Sequence, residues 1–155
     1  MKGNQKVIDE LNFLLADELT AISQYMVHAE MCANWGYEKL AGAIEKRARE
    51  EMKHAEIHIG RILFLEGKPV VSNLNKITIG PDVLTILKND HAAEDGAIKE
   101  YNKAIKLCTD EADNGTRDIL DDTLEDEEEH IDWIEAQLDQ IAQMGIQNYL
   151  VEQLG

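Results

Sequence analysis

Residues 5–35 read QKVIDELNFLLADELTAISQYMVHAEMCANW and carry one uninterrupted heptad pattern. Apolar residues return at alternating steps of three and four positions, from Ile8 to Cys32. This spacing places them on a single stripe along one long α-helix. The stretch therefore predicts a helix that buries one face against other elements.

Three further stretches repeat this pattern, over residues 38–66, 84–108 and 120–141. Short turns are expected near residues 34–37 and 113–115, which makes the first and second helices antiparallel, and likewise the third and fourth. Helices of about 26–31 residues are rods of about 40–45 Å. The sequence predicts an all-α four-helix bundle.

The connection between the second and third helices is longer than the other two. Residues 67–81 have an extended reach of about 50 Å, so they can return along the whole bundle and make these two helices parallel. Pro81 and Asp82 suit the start of the third helix. We expect a single domain over residues 1–155, with the bundle at about 5–143 and a short fifth helix at about 146–153.

Composition narrows the classes of partner. The 155 residues are 44% hydrophobic, enough for a core, and 31 acidic against 15 basic side chains give a net charge of −16. Such a charge disfavours nucleic acids and anionic membranes and favours cations. The sequence contains no run of about 18 apolar residues, so no membrane-spanning helix is predicted. Asp9, Glu10 and Asn12 interrupt the apolar residues near the start, so no signal peptide is predicted there. Cys32 and Cys108 are too few for a disulfide framework and are expected in the core. We therefore expect a cytoplasmic protein.

Each predicted helix carries one carboxylate on its apolar stripe near its middle. These residues are Glu18, Glu51, Glu94 and Glu127. A lone buried carboxylate costs several kcal/mol unless it is paired or binds a cation. Four converging carboxylates therefore predict a bound cation at the centre of the bundle.

Two of these carboxylates begin Glu-x-x-His motifs, Glu51 to His54 and Glu127 to His130. A spacing of three places both side chains on one helix face. A Glu from each of two helices plus Glu-x-x-His from the other two is the ligand pattern of two-metal carboxylate proteins. We expect Glu18 and His54 to serve one metal ion, Glu94 and His130 the other, and the remaining two carboxylates to bridge. Oxygen ligands with one imidazole per ion suit Fe²⁺, Mn²⁺ or Co²⁺.

Tyr25 lies one heptad after Glu18 on the same stripe. It is either a core residue or a hydrogen-bonding or redox partner of the metal ligands. We include it among the candidate catalytic residues with the six predicted ligands.

Four segments resemble bacterioferritins over nearly the whole chain: MKGNQKVIDELNFLLADELTAISQY, EEMKHAE followed by RILFLEGKP, DEEEHIDWIEAQL and MGIQNYL. The resemblance implies a ferritin-like bundle with one long crossover, and a cytoplasmic shell of 24 identical or mixed subunits built from two-fold dimers. It implies a ferroxidase that oxidises Fe²⁺ with dioxygen or peroxide and stores ferric mineral. The six predicted ligands occupy the positions of that family's motif.

The resemblance also assigns a role to Met52. Members of the family bind a b-type haem between two subunits through one Met from each, and a small ferredoxin passes electrons to it for iron release. Met52 is offset by about 100° from Glu51 on the helix, toward the flank of the bundle. The sequence departs from the family at Lys46 and Glu50, where some members place a His and an Asp as an inner iron site. That inner site is in doubt for this chain.

Two alternatives stay open. A non-storing di-iron oxidoreductase of the peroxidase kind would use the same six ligands. The ligand set also leaves the physiological metal open between iron and manganese.

Overall fold

A computed structural model describes all 155 residues and contains five helices and no strands. Their bounds are α1 Gln5–Asn34, α2 Glu38–Phe64, α3 Val83–Asp110, α4 Asn114–Met144 and α5 Ile146–Val151. The four-helix bundle with a short fifth helix is confirmed. No helix in the chain combines the length and apolar character that crossing a membrane requires.

Caps and turns define the helix ends. Asp82 accepts a hydrogen bond from the backbone N–H of Thr85 and so begins α3, as Pro81-Asp82 predicted. The turn before α4 lies earlier than predicted. Ala112 adopts a left-handed φ of 57°, and Asp113 then caps α4 through the N–H of Thr116, so that residues 114–115 are already helical.

The crossover, residues 65–82, runs along α1 in the same direction as that helix. Backbone N–H groups of the crossover donate to α1 side chains in sequence: Val70 to Asn12, Asn75 to Thr20, Thr78 to Gln24 and Gly80 to His28. The crossover therefore reaches the far end of the bundle, and α3 starts where α1 ends. This course makes α2 and α3 parallel, as its length predicted.

Two apolar clusters fill the bundle on either side of its middle. One is built around Leu11, Leu15 and Ile62, and the other around Ile44 and Leu87. Cys32 and Cys108 are buried in these clusters, one in each, as expected. The helices are thus held at both ends by apolar packing, which leaves the middle for polar side chains.

Candidate metal centre

The six predicted ligands converge between the clusters and are at most 5% exposed. They form two groups in which potential ligand atoms lie within 4.8 Å of one another. One group is Glu18, Glu51, His54 and Glu127, and the other is Glu51, Glu94, Glu127 and His130. Glu51 and Glu127 belong to both groups, and each of the other four residues belongs to one of them.

Both imidazoles direct the same ring nitrogen toward the carboxylates. Nδ1 of His54 lies 3.0 Å from Glu127 and 3.2 Å from Glu51. Nδ1 of His130 lies 3.1 Å from Glu51 and 3.5 Å from Glu94. Nδ1 is therefore the atom that each imidazole offers to a metal ion.

The other ring nitrogen of each histidine contacts a carboxylate on the opposite helix. Nε2 of His54 lies 2.9 Å from Asp126, and Nε2 of His130 contacts Glu50. Each of these carboxylates directly precedes a shared ligand in the chain. Such contacts orient the ring and make Nδ1 a better donor to a metal ion.

The contact of Glu50 bears on the inner iron site that the sequence left in doubt. Its carboxylate is engaged by His130, and the Nζ of Lys46 lies 3.8 Å from its other oxygen. A nearby lysine ammonium competes with any cation at this place. In this structure the Glu50 carboxylate is therefore paired with His130 and Lys46.

Two tyrosines donate hydrogen bonds to the terminal carboxylates across the bundle. Tyr25 on α1 donates to Glu94 on α3 at 2.7 Å, and Tyr101 on α3 donates to Glu18 on α1 at 2.5 Å. Tyr25 is thus placed as a hydrogen-bonding partner of a predicted ligand. Tyr101 lies on the apolar stripe of α3 and follows Glu94 by the same seven positions that separate Tyr25 from Glu18. It was not singled out from the sequence.

The site has an internal two-fold pattern. Exchanging α1 with α3 and α2 with α4 relates Glu18 to Glu94, Tyr25 to Tyr101, Glu50 to Asp126, Glu51 to Glu127 and His54 to His130. Each pair is separated by the same number of positions along the chain. The bundle therefore offers two equivalent cation positions side by side.

Burial and mutual repulsion shift the pKa values of the four carboxyl groups. Burial, followed by the charge of Glu127, raises the pKa of Glu94 to about 8. Burial, followed by the charge of Glu51, raises the pKa of Glu18 well above its ordinary value. Burial also raises the pKa of Glu51. Burial opposes ionisation of Glu127 too, but hydrogen bonds with Glu94 and both histidines lower its pKa.

The two histidines take the place of cations in the metal-free site. Burial favours neutral rings, but hydrogen bonds with the surrounding carboxylates outweigh it and raise the pKa of His54 and His130 above the ordinary value. The carboxylates therefore favour the protonated form of both rings in the metal-free site, and a metal ion competes with a proton for each Nδ1.

A second buried hydrogen-bond network lies beyond Tyr25, and it was not predicted from the sequence. Asp90 is fully buried and accepts hydrogen bonds from Gln24, His28 and Arg47 at 3.0, 2.7 and 3.2 Å. The Arg47 guanidinium lies 4.9 Å from the centre of the Tyr25 ring. No periodicity marks these residues, because they meet only once the helices pack.

A cavity of about 330 Å³ between α1 and α3 opens onto the ligands. It is lined by the terminal carboxylates Glu18 and Glu94 and, farther out, by Asp17, Glu100 and Lys76. The cavity thus lies between the two terminal carboxylates and charged side chains that are more exposed.

Met52 lies outside the cluster, on the flank. Its side chain is 49% exposed and borders a cavity of about 240 Å³ with Met26, Ile22 and Ala48. The structure therefore confirms that Met52 faces away from the six ligands.

A bundle with one long crossover and a buried double carboxylate–histidine cluster defines the class of ferritin-like proteins. The chain matches the ferritin-like domain family over residues 8–144. It is 42% identical to a bacterial ferritin of Paramagnetospirillum magnetotacticum, over 100% of this chain and 96% of that protein. It is 40% identical to a bacterioferritin of Rhodobacter capsulatus, over 96% and 92%, and 41% identical to a bacterial ferritin of Pseudomonas aeruginosa, over 99% and 100%. The chain belongs to the bacterioferritin family.

Proposed function

We propose that this protein is an iron-storage ferroxidase that binds two Fe²⁺ ions between its four helices and oxidises them. The observation that carries the proposal is the pair of overlapping groups that share Glu51 and Glu127. Four carboxylates balance the charge of two divalent ions, and each ion receives one imidazole. Oxygen-rich ligands of this kind suit Fe²⁺.

The oxidation balances with either proposed acceptor. Two Fe²⁺ ions lose one electron each, and two electrons with two protons reduce peroxide to two waters or dioxygen to hydrogen peroxide. The chain's residues hold the substrate ions close together and release protons from His54 and His130 as the ions bind. Tyr25 and Tyr101 keep the terminal carboxylates in place through their hydroxyl groups.

We propose that Fe²⁺ reaches the centre through the cavity between α1 and α3. Glu18 and Glu94 lie at its inner end and Asp17 and Glu100 farther out. Lys76 is the one cationic side chain in the lining, so the path is acidic on balance. The net charge of −16 attracts cations to the protein surface. Ferric ions then pass to a mineral inside the assembled shell.

Removal of a shared ligand tests the ferroxidase proposal. Glu127→Ala deprives both ions of a ligand, so we expect the initial rate of Fe²⁺ oxidation in stopped flow to fall by at least about tenfold. Glu128→Ala is the matched control, because its side chain is the exposed neighbour on the same helix. An unchanged initial rate in Glu127→Ala would remove the assignment of the two-iron site.

We further propose a cytoplasmic shell of 24 subunits built from two-fold dimers. Within each dimer, Met52 from both subunits would bind one b-type haem. The exposed thioether and the apolar side chains beside it fit such a group at a two-fold contact. The haem would carry electrons from a small ferredoxin to the mineral and so assist release of Fe²⁺.

Size-exclusion chromatography with absorbance at the protein and haem Soret wavelengths tests the shell and the haem together. We expect a very large particle with one haem for every two subunits. A large particle without Soret absorbance would retain storage and exclude haem binding by Met52. A haem-free dimer would favour the non-storing di-iron oxidoreductase.

A further inference from the structure

His58 is a buried histidine that the proposed chemistry does not use. It lies on α2 one helical turn after His54 and is 0% exposed. Its Nε2 lies 2.5 Å from the hydroxyl oxygen of Tyr101, and its Nδ1 has no hydrogen-bond partner. Burial lowers the pKa of His58 to about 3, so the ring is neutral.

A neutral imidazole carries one N–H, and the contacts determine where it lies. With the proton on Nε2, His58 donates to the Tyr101 oxygen, and the Tyr101 hydroxyl donates to Glu18. With the proton on Nδ1, a buried N–H would have no acceptor, which costs about 1–3 kcal/mol. The hydrogen bonds therefore run in one direction, from His58 through Tyr101 to Glu18.

The other half of the site lacks this relay. There Tyr25 donates to Glu94, but the residue related to His58 by the internal two-fold pattern is Ile134, which is fully buried and apolar. Arg47 lies against the Tyr25 ring instead. The two halves thus have equivalent candidate ligands, but only the tyrosine that donates to Glu18 receives a hydrogen bond from a buried histidine.

We propose that His58 is a positioning residue that holds the Tyr101 hydroxyl on Glu18 and makes the metal position of Glu18 and His54 the tighter of the two. The inference rests on the proposed two-metal site. Groups that orient a metal ligand typically change metal affinity by about 10–100-fold. Because His58 acts through Tyr101, we expect an effect of about tenfold, the lower end of this range.

Titration of the metal-free protein with Co²⁺, followed by visible absorption, tests the proposal without iron oxidation. We expect wild type to bind two Co²⁺ ions in two distinguishable steps. His58→Ile introduces the residue found at the related position, Ile134, and should weaken the Co²⁺ affinity of the tighter binding step about tenfold. His58→Gln retains an N–H donor and should restore most of the affinity.

Variants that retain only one of the two metal positions show which Co²⁺-binding step His58 affects. In Glu94→Ala, which keeps the position of Glu18 and His54, His58→Ile should still weaken Co²⁺ binding. In Glu18→Ala it should have no effect. Tyr101→Phe should weaken the same step as His58→Ile, and the double variant should be no weaker than Tyr101→Phe alone.

The outcomes separate this inference from the proposed function. A wild-type protein that does not bind two Co²⁺ ions contradicts the two-metal site itself. Two normal steps in wild type with an unchanged titration of His58→Ile overturn the inference and make His58 a core residue. If His58→Ile does not fold, Tyr101→Phe must weaken the tighter step and His58→Gln must preserve it.

The tautomer gives an independent, metal-free readout. Solid-state NMR of ¹⁵N-histidine-labelled protein should show His58 protonated at Nε2, with assignment by loss of its signal in His58→Gln. A proton on Nδ1 would overturn the relay.

Discussion

Replacing Glu94 with Gln should stabilise the metal-free protein at pH 7. Its carboxyl group is 1% exposed, and burial, followed by the charge of Glu127, raises its pKa to about 8. The Tyr25 hydroxyl donates to Glu94, and a Gln carbonyl can accept the same bond. Glu127 lies in the same group as Glu94, where the amide N–H₂ of a Gln can donate to its carboxylate.

The magnitude follows from linkage. The folded-state pKa of Glu94 lies above its ordinary value of 4.5, so its stability contribution is complete below about pH 4.5 and is lost as the pH rises through about 8. At pH 7 the folded protein must retain a proton about 2.5 units above the ordinary pKa, which at 1.36 kcal/mol per unit costs about 3 kcal/mol. Gln carries no such penalty.

Thermal melts of the metal-free protein measure the difference. A gain of about 3 kcal/mol corresponds to an increase in Tm of about 6–12 °C for a chain of this size. The difference should shrink as the pH falls toward 4.5. Glu125→Gln, on the exposed face of α4, is the control and should change the stability by less than about 0.5 kcal/mol.

Two results would refute this reasoning. A lower Tm for Glu94→Gln at pH 7 would show that the carboxylate stabilises the metal-free site. An equal gain at pH 7 and pH 4.5 would show that the gain comes from packing and not from the proton.

Three further outcomes are expected. Met52→Leu should abolish Soret absorbance and leave the shell and Fe²⁺ oxidation unchanged, as seen by chromatography and stopped flow; loss of the shell would instead make Met52 a packing residue. Asp113→Ala should lower the free energy of unfolding by about 1–2 kcal/mol, because the helix cap of α4 and a partly buried ion pair with Arg61 are lost together. Denaturant unfolding measures this loss. Asp82→Ala is the control, because Asp82 caps α3 without forming an ion pair. Binding of two divalent ions at pH 7 should release at least about three protons per subunit, because His54, His130 and the carboxyl group of Glu94 must lose theirs, so affinity should rise with pH. Calorimetry in buffers of different ionisation enthalpy measures that number, and no proton release would show that the rings are neutral before binding.

The convergence of the six candidate ligands was predictable from the sequence, because the periodicity of single helices places all of them. A stripe of apolar residues predicts which helix face is buried, and a carboxylate such as Glu18 on that stripe stands out against it. The spacing from Glu51 to His54 then adds an imidazole to the same face. These are properties of single helices, which periodicity describes well.

The supporting residues were not predictable in the same way. Tyr101 fits an apolar stripe, so its hydrogen bond to Glu18 was hidden behind a packing role. His28 and His58 lie off the main stripes, and yet both are fully buried. Whether a flank position is buried depends on how the helices rotate against each other, and one helix does not specify that rotation. The start of α4 also differed from the prediction. Asp113 caps the helix, so residues 114–115, which were expected in the turn, are already helical.

The number of Fe²⁺ ions oxidised in the fast phase tests the central proposal most directly. Metal-free protein is mixed in stopped flow with increasing Fe²⁺ under excess oxidant, and the fast amplitude is plotted against iron per subunit. The two overlapping groups predict saturation at two Fe²⁺ per subunit. Saturation at one Fe²⁺ per subunit, or no saturating fast phase, would contradict a two-iron ferroxidase site.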